Sequence, residues 1–208
     1  DWSSDVCSSD LIVVLAKKLG RTQDLKWFVK DVIKWIPGIG WGMLFLDCLY
    51  LKRNWTADKE KILATFERLR KNRSPFFLLS YVEGTRLTLK KRERSREFCR
   101  KAALPDLIHV LSPRTRGFNA TVEGLAGILD AVYDVTLAFE GFPTGEVPGL
   151  GALLWGPMHR VHIHVKRHGA DSLPETKEQR NQWILDRFQE KDALLAEFYR
   201  SRTLREPK

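Results

Sequence analysis

A chain of 208 residues, of which 43% are hydrophobic and 29% charged, is long enough to bury one sizeable core, and we expect a single folded domain. This composition excludes a disordered tail, a collagen-like repeat and a low-complexity linker. The 35 basic and 26 acidic residues leave a net charge of +9, which favours a polyanion, a phosphate ester or an anionic membrane surface as the partner. Cys7, Cys48 and Cys99 form neither a disulfide framework nor a Cys-x-x-Cys metal pair, so we expect free thiols in a reducing compartment.

The first eleven residues differ in character from the rest of the chain. The segment from Asp1 to Leu11 contains Ser-Ser-Asp twice, lacks an initiating Met and has neither helical nor strand periodicity. We interpret residues 1–11 as a non-native or truncated leader and residues 12–208 as the functional domain.

From Ile12 onward, short apolar runs alternate with amphipathic charged stretches, which is the pattern of an α/β domain. We predict strands at residues 26–29, 76–82, 108–111, 132–139 and 160–167, and helices at residues 57–73, 92–103, 117–129 and 175–199. The run 76–82 is almost continuously apolar, which predicts a strand that is buried on both faces at the centre of the sheet. The predicted fold is therefore α/β, a single domain with a mixed, mostly parallel sheet flanked by helices.

The longest apolar run, from Ile36 to Leu51, contains Pro37, three glycines and Asp47. Its 16 residues are fewer than the roughly 20 that a membrane-spanning helix needs. We expect this run to lie against a membrane or to form a buried wall of the domain.

The predicted central strand leads directly into Glu83-Gly84-Thr85-Arg86. In open α/β sheets, ligands bind beyond the carboxyl ends of the strands. Gly84 permits a sharp turn and a close backbone approach, Arg86 offers a fork of donors that matches a phosphate, and Glu83 can orient that arginine or a substrate hydroxyl. These residues predict a phosphate-binding turn.

Two further basic segments follow predicted apolar runs. Ser112 to Gly117 follows the predicted strand 108–111, supplies Arg114 and Arg116, and precedes a helix whose first N–H groups suit an anion. Lys52-Arg53 follows the apolar run that ends at Leu51. If the three segments meet at one edge of the sheet, they form a positive cleft for a phosphorylated ligand. The alternative is that these arginines are solvated surface charge.

Several of these segments resemble the motifs of one enzyme family, in the same order along the chain. The matching segments are Lys-Arg-Asn-Trp at 52–55, Val-Glu-Gly-Thr-Arg at 82–86, Ser-Pro-Arg-Thr-Arg-Gly-Phe at 112–118, Val-Tyr-Asp-Val-Thr at 132–136, Glu-Lys-Asp-Ala-Leu-Leu at 190–195 and Ile-Pro-Gly-Ile-Gly-Trp at 36–41. Together they make the chain similar to the 1-acyl-sn-glycerol-3-phosphate acyltransferases of the eukaryotic-type branch.

The resemblance implies the transfer of a fatty acyl group from acyl-CoA to the free hydroxyl of lysophosphatidate, which yields phosphatidate and CoA. It implies acyl-CoA as a co-substrate, no cofactor and no metal. It also implies that Glu83 to Arg86 form the glycerol-phosphate-binding motif, that Lys52 and Arg53 belong to a second block involved in acceptor binding, and that residues 113–117 form a further block.

The resemblance also implies a location and a set of partners. We expect a membrane-associated enzyme, in the endoplasmic reticulum of a eukaryote or the inner membrane of a bacterium, with its active site on the cytoplasmic side. The expected partners are acyl-CoA, lysophosphatidate and an anionic membrane surface, and not nucleic acid.

One catalytic motif of the family is missing. In the family, the histidine of a His-x4-Asp motif removes the hydroxyl proton and the aspartate orients its imidazole. No histidine precedes His109, and the family's aspartate is expected between Ser8 and Asp10, which makes Asp10 the candidate and places Asp5 where the histidine belongs. We expect the natural protein to be active and this polypeptide to be inactive or nearly so.

Four histidines suggest an alternative site. His159, His162, His164 and His168 lie in or beside the predicted strand 160–167, where two of them share one face and could bind Zn²⁺. An alternating strand with its apolar side chains toward the core and a polar outward face explains the same pattern without a metal, and we favour that explanation.

Two other classes of function are weighed against acyl transfer. Residues 52–101 carry 16 basic and 6 acidic residues, as a nucleic-acid-binding module would, but no RNP motif, zinc finger or helix-turn-helix signature accompanies them. We expect this basic surface to face anionic lipid headgroups instead. The third alternative is a regulatory relative that binds a lysophospholipid without turning it over.

Overall fold

The structure, a computed structural model, describes residues 12–14, 16–18, 20–30, 49–51, 55–73, 75–85, 87–140 and 160–201. The chain divides into two compact units. The N-terminal unit comprises residues 11–81 and 116–129, and the C-terminal unit comprises residues 1–10, 82–115 and 130–208. The division into a leader at residues 1–11 and one functional domain at residues 12–208 stays a prediction.

The described elements mix helices and strands, which confirms the α/β class. In chain order they are β1 (Leu25–Lys30), β2 (Leu49–Leu51), α1 (Trp55–Asn72), β3 (Phe77–Leu79), α2 (Leu89–Lys101), α3 (Thr115–Gly124), β4 (Ala131–Phe139), β5 (Val161–Gly169) and α4 (Lys177–Ser201). None of the helices in this part of the chain combines the length and the apolar character needed to cross a membrane. Most of the apolar run 36–51 lies outside the described residues.

The described strands of the N-terminal unit form a parallel sheet in the order β2-β1-β3. Among these strands, β1 is central and β3 is not. The prediction of a long, fully buried central strand at 76–82 is therefore wrong. The register explains why: β3 pairs only with Leu25 to Trp27, while the other half of β1, Phe28 to Lys30, pairs with β2. β2 and β3 each pair with three residues of β1. All three residues of β3 are half-buried, and none is fully buried.

The core of the N-terminal unit lies along one face of α1. Ile62, Phe66 and Leu69 are buried there with Leu125, which follows α3. The predicted helix at 57–73 is confirmed, and its basic last turn matches the negative end of the helix dipole. The predicted helix at 117–129 is shorter than expected, because α3 ends at Gly124 and is followed by turns.

The C-terminal unit combines an antiparallel pair of strands with α4. β4 and β5 pair along their full length, from Ala131 opposite Gly169 to Phe139 opposite Val161. Thr176 and Gln179 begin α4 with a reciprocal capping box, in which each side chain accepts a hydrogen bond from the other residue's backbone N–H. The predicted strands at 132–139 and 160–167 and the predicted helix at 175–199 are confirmed, but the described strands form two sheets and not one.

The face of β5 that is turned outward is the opposite of the predicted one. Ile163 and Val165 are 39% and 42% exposed, although their alternation predicts a core-facing row. The other row packs toward α4, where the His162 ring lies 4.9 Å from the Phe198 ring and the His168 ring lies 5.1 Å from the Trp183 ring. Alternation sets the two rows apart, but the aromatic residues of α4 decide which row is covered.

Residues 108–111 form no strand, so that prediction is wrong. The backbone N–H groups of Ile108, His109 and Val110 donate to one carboxylate oxygen of Asp192, at 2.9, 2.5 and 3.2 Å. These donors are therefore used by a side chain of α4 and are not free to pair with a strand. The segment bends there and leads into the loop that carries Arg114.

Candidate functional site

The structure brings two of the predicted basic segments into contact within the C-terminal unit. The backbone N–H of Arg114 donates to the carbonyl oxygen of Val82 at 2.7 Å. Residues 82–85 form a turn in which Gly84 has a φ of +67°, the left-handed region that favours glycine. A Cβ atom placed on Gly84 would lie 3.0 Å from both Cδ and Nε of Arg114, so the arginine side chain lies directly over the glycine.

Of the other predicted site residues, only Arg116 lies within the part of the chain that the structure describes. Arg116 is exposed in α3 and belongs to the N-terminal unit. Asp10, Lys52, Arg53 and Arg86 lie outside the described residues. The roles given to them by the sequence stay predictions.

A second cation at the turn was not identified from the sequence. The Lys91 ammonium donates to the hydroxyl oxygen of Thr85 at 2.5 Å. Lys91 lies in the first turn of α2, whose N-cap is Thr88, and the Thr88 hydroxyl accepts a hydrogen bond from the Lys91 backbone N–H at 3.4 Å. The predicted start of this helix at residue 92 is three residues late. Thr88 is the N-cap signal that marks its beginning, and with it the lysine that donates back to the turn.

Glu83 is the acidic member of the site, and its ionisation is unusual. Desolvation by burial raises the pKa of the Glu83 carboxyl to about 7, although the positive charge of Lys191 and a hydrogen bond from the Leu111 backbone N–H both act to lower it. Near neutral pH this carboxyl exists in both protonation states. The ionised form can accept a hydrogen bond from a substrate hydroxyl, and the protonated form can donate one to it.

Lys191 and Asp192 connect the site to α4. The Lys191 ammonium donates to a carboxylate oxygen of Asp134 at 2.5 Å and to the Val135 carbonyl oxygen at 3.0 Å, and its side chain is only 12% exposed. Asp192 holds the bend at residues 108–110. Both residues belong to the Glu-Lys-Asp motif that the sequence singles out, but the motif alone assigns them no role.

These contacts describe what the arrangement can do chemically. Two cations, Arg114 and Lys91, lie at a turn in which Gly84, having no side chain, leaves room for the Arg114 side chain. A phosphate monoester carries about −1.5 to −2 charges at neutral pH and accepts strong hydrogen bonds from such donors. The site therefore suits a phosphate group with a hydroxyl nearby, which Glu83 can orient.

The three histidines of β5 have different surroundings. His162 approaches a carboxylate oxygen of Glu140 at 3.4 Å, while His164 lines a cavity of about 270 Å³ with Thr136 and Leu194. Burial lowers the pKa of His168, and nearby Arg187 adds to this. Within the described ranges no three His, Cys, Asp or Glu side chains lie close enough together to hold a metal ion.

Comparison with known proteins links the chain to one group. Residues 152–208 match the family model described as acyltransferase C-terminus. A 1-acyl-sn-glycerol-3-phosphate acyltransferase 2 from Brassica oleracea is 36% identical over 182 residues, which cover 88% of this chain and 46% of that protein. A 1-acyl-sn-glycerol-3-phosphate acyltransferase delta from Homo sapiens is 34% identical over 192 residues, which cover 92% of this chain and 50% of that protein.

The chain thus spans about half the length of the curated relatives it matches. No solved structure matches it. The family resemblance noted in the sequence also implies a glycerolipid acyltransferase-like fold, and that part of the predicted fold stays a prediction.

Proposed function

This chain belongs to the 1-acyl-sn-glycerol-3-phosphate acyltransferase family, and on that premise we propose that it carries the acceptor-binding residues of an enzyme that moves a fatty acyl group from acyl-CoA to lysophosphatidate. In that reaction the thioester C–S bond breaks and a C–O ester bond forms. The proton of the acceptor hydroxyl passes by way of a general base to the departing thiolate. The products are phosphatidate and CoA.

The observation that carries this proposal is the seating of Arg114 over Gly84, within the turn that precedes α2. Arg114 provides donors for two phosphate oxygens and Lys91 provides a second positive charge beside Thr85. Glu83 is the residue before Gly84 in this turn. When its carboxyl is ionised, it accepts a hydrogen bond from the hydroxyl of lysophosphatidate. Phosphate binding thereby orients the hydroxyl that attacks the thioester.

The general base lies outside what the described residues supply. Asp10, the candidate for orienting it, is among the residues that the structure does not describe, and the polypeptide has no histidine ahead of His109. We propose that this polypeptide binds the acceptor and turns it over about 10² to 10⁴ times more slowly than a form with the histidine in place. A relative that binds lysophospholipid without turnover is the competing candidate.

Binding of lysophosphatidate tests the acceptor site. We expect Arg114→Ala to raise the dissociation constant roughly ten- to a hundredfold, since a charge-assisted hydrogen bond contributes about 1.5–3 kcal/mol. The matched control is Arg200→Ala, which removes an exposed arginine that pairs with Glu197 on α4. The measurement is calorimetric titration with short-chain lysophosphatidate, with lysophosphatidylcholine as the headgroup control. Lysophosphatidylcholine carries a phosphodiester, so equal affinity of the wild type for both lipids would rule out recognition of the phosphate monoester.

Acyl transfer then separates the two candidate functions. We propose to assay the formation of phosphatidate from acyl-CoA and lysophosphatidate, with this polypeptide and with a form that carries the family's His-x4-Asp motif. Formation of phosphatidate that Arg114→Ala lowers supports the enzyme. Binding without phosphatidate formation supports the relative that does not turn the lipid over.

We also propose that α2 faces an anionic membrane surface. Its exposed residues include Lys90, Arg94 and Arg100, and Phe98 is 57% exposed among them. Each basic side chain near such a surface contributes about 1 kcal/mol at low ionic strength. We expect sedimentation with liposomes to rise with the fraction of phosphatidylserine and to fall with added salt. Binding that is indifferent to both would contradict this orientation and the expected membrane location.

A further inference from the structure

We propose that Asp192 of α4 is a positioning residue that holds the segment 108–114, and with it Arg114, in its binding geometry, and that the adjacent Lys191, fixed against β4, supplies a positive charge that acts on the acceptor turn at residues 82–85. This inference rests on the proposed function. It also assigns a task to the C-terminal family region, because residues 152–208 contain α4 while the acceptor turn lies outside that range.

The backbone donors of the segment 108–114 show how completely it is held. The N–H groups of residues 108–110 all donate to Asp192, and that of Leu111 donates to Glu83. The Ser112 N–H donates to the Ser95 hydroxyl at 3.0 Å, and Arg114 donates to Val82. Pro113 has no N–H, so every backbone donor of this segment has an acceptor.

Asp192 is the anchor of this series. It takes three consecutive N–H groups on one oxygen, across more than eighty residues of sequence. Without it, two partly buried donors and one exposed donor lose their acceptor, and no described strand pairs with the segment to replace it. The segment then no longer holds Arg114 against Gly84.

Lys191 acts on the turn through its charge. It is held by Asp134 and the Val135 carbonyl of β4, so its ammonium occupies a fixed position, and its positive charge acts on the Glu83 carboxyl. The Leu111 N–H donates to that carboxyl, while Arg114 lies over the neighbouring Gly84 and Lys91 of α2 donates to Thr85. The positive charge of Lys191 lowers the pKa of Glu83, so it favours the ionised carboxyl, which is the form that accepts a hydrogen bond from a hydroxyl.

The test uses four variants of the chain. Lys191→Met removes the charge and keeps the stem, and Lys191→Arg restores a cation. Asp192→Ala removes the acceptor of the three N–H groups. Glu190→Gln is the matched control, because Glu190 is the preceding residue of α4 and pairs with Lys166 and Arg187, and not with the segment 108–114.

Two readouts require no ligand and so remain valid if the proposed function fails. We expect Lys191→Met to raise the pKa of the Glu83 carboxyl, followed by carbon NMR, by about one unit or more, and Lys191→Arg to restore it. We expect Asp192→Ala to abolish the amide-exchange protection of residues 108–110, while Lys191→Met leaves it in place. Glu190→Gln changes neither quantity.

Lysophosphatidate affinity, measured at equal folded fraction, is the third readout. We expect Lys191→Met and Asp192→Ala each to weaken it about tenfold or more, while Glu190→Gln leaves it unchanged. The wild type could fail to bind the lipid while the pKa change of Glu83 and the loss of amide-exchange protection both appear. In that case the proposed function fails and the positioning contacts stand. An unchanged Glu83 titration in Lys191→Met, or unchanged protection in Asp192→Ala, overturns the positioning role.

Discussion

Glu83→Gln is expected to raise the free energy of unfolding by about 3 kcal/mol at pH 8 and to leave it nearly unchanged at pH 4. In the folded chain, burial raises the pKa of Glu83 from 4.5 to about 7. The unfolded chain releases this proton at the lower value, so between the two the folded state binds more protons and its stability falls as the pH rises. Each pKa unit corresponds to about 1.4 kcal/mol, and glutamine, which does not ionise, removes this cost.

Urea unfolding at a series of pH values checks this result. We expect the wild-type stability to fall from pH 4.5 to pH 7 by more than that of the variant, with a plateau above pH 8. Glu93→Gln, which changes an exposed glutamate of α2, is the control and should follow the wild type. Parallel curves for wild type and Glu83→Gln would contradict the buried ionisation.

The same substitution should weaken acceptor binding while it stabilises the fold. Glutamine accepts the Leu111 N–H as the carboxyl does, but it carries no charge toward Lys191. A residue that costs stability in its ionised form is typical of a binding or catalytic site. The stability gain and the loss of affinity, found in one variant, would together place Glu83 in the acceptor site.

The elements that the sequence predicts well are those whose signals are local. Helix α1 is visible from the period of Ile62, Phe66 and Leu69 and from the basic residues at its end. Helix α4 is visible from Trp183, Ile184 and Phe188, which recur at helical spacing. In each case the residues that define the element lie within a few turns of one another.

The predictions that fail depend on partners far along the chain. Residues 108–111 have the apolar composition of a strand, but Asp192 takes their N–H groups. Alternation in β5 predicts two rows of side chains, but Phe198 and Trp183 determine which row is covered. No local pattern contains this information.

The candidate site divides in the same way. Gly84 and Arg114 are predicted because turn chemistry and fixed charge are properties of single residues, and the structure places them in contact. Lys191 and Asp192 are missed because charged residues on a long helix usually form a solvated face. Their role becomes visible only when α4 is placed beside β4 and the bend at 108–110.

Gly84→Ala is expected to weaken lysophosphatidate binding by tenfold or more while the free energy of unfolding falls by about 1–2 kcal/mol. Alanine at a φ of +67° is strained by itself, and its Cβ would meet the Arg114 side chain at 3.0 Å. The Arg114 side chain must shift to make room for this Cβ, so both the affinity and the stability fall. Calorimetric titration and urea unfolding of the same preparation measure the two quantities.

Two glycine controls separate the causes. Gly127→Ala is strained by its φ of +81° but meets no atom within 4 Å, and Gly117→Ala in α3 has neither problem. We expect the first to lose stability without losing affinity, and the second to be neutral or slightly stabilising.

Gly84→Ala and Arg114→Ala, made singly and together, form a double-mutant cycle in which lysophosphatidate affinity is measured. If the glycine acts by leaving room for the arginine, Gly84→Ala has little further effect on affinity once Arg114 is already alanine. Strictly additive losses would mean that the turn contacts the ligand through its own backbone, independently of the arginine. A cycle with strong coupling assigns the function of this glycine to the seating of Arg114, which is the contact on which the acceptor site depends.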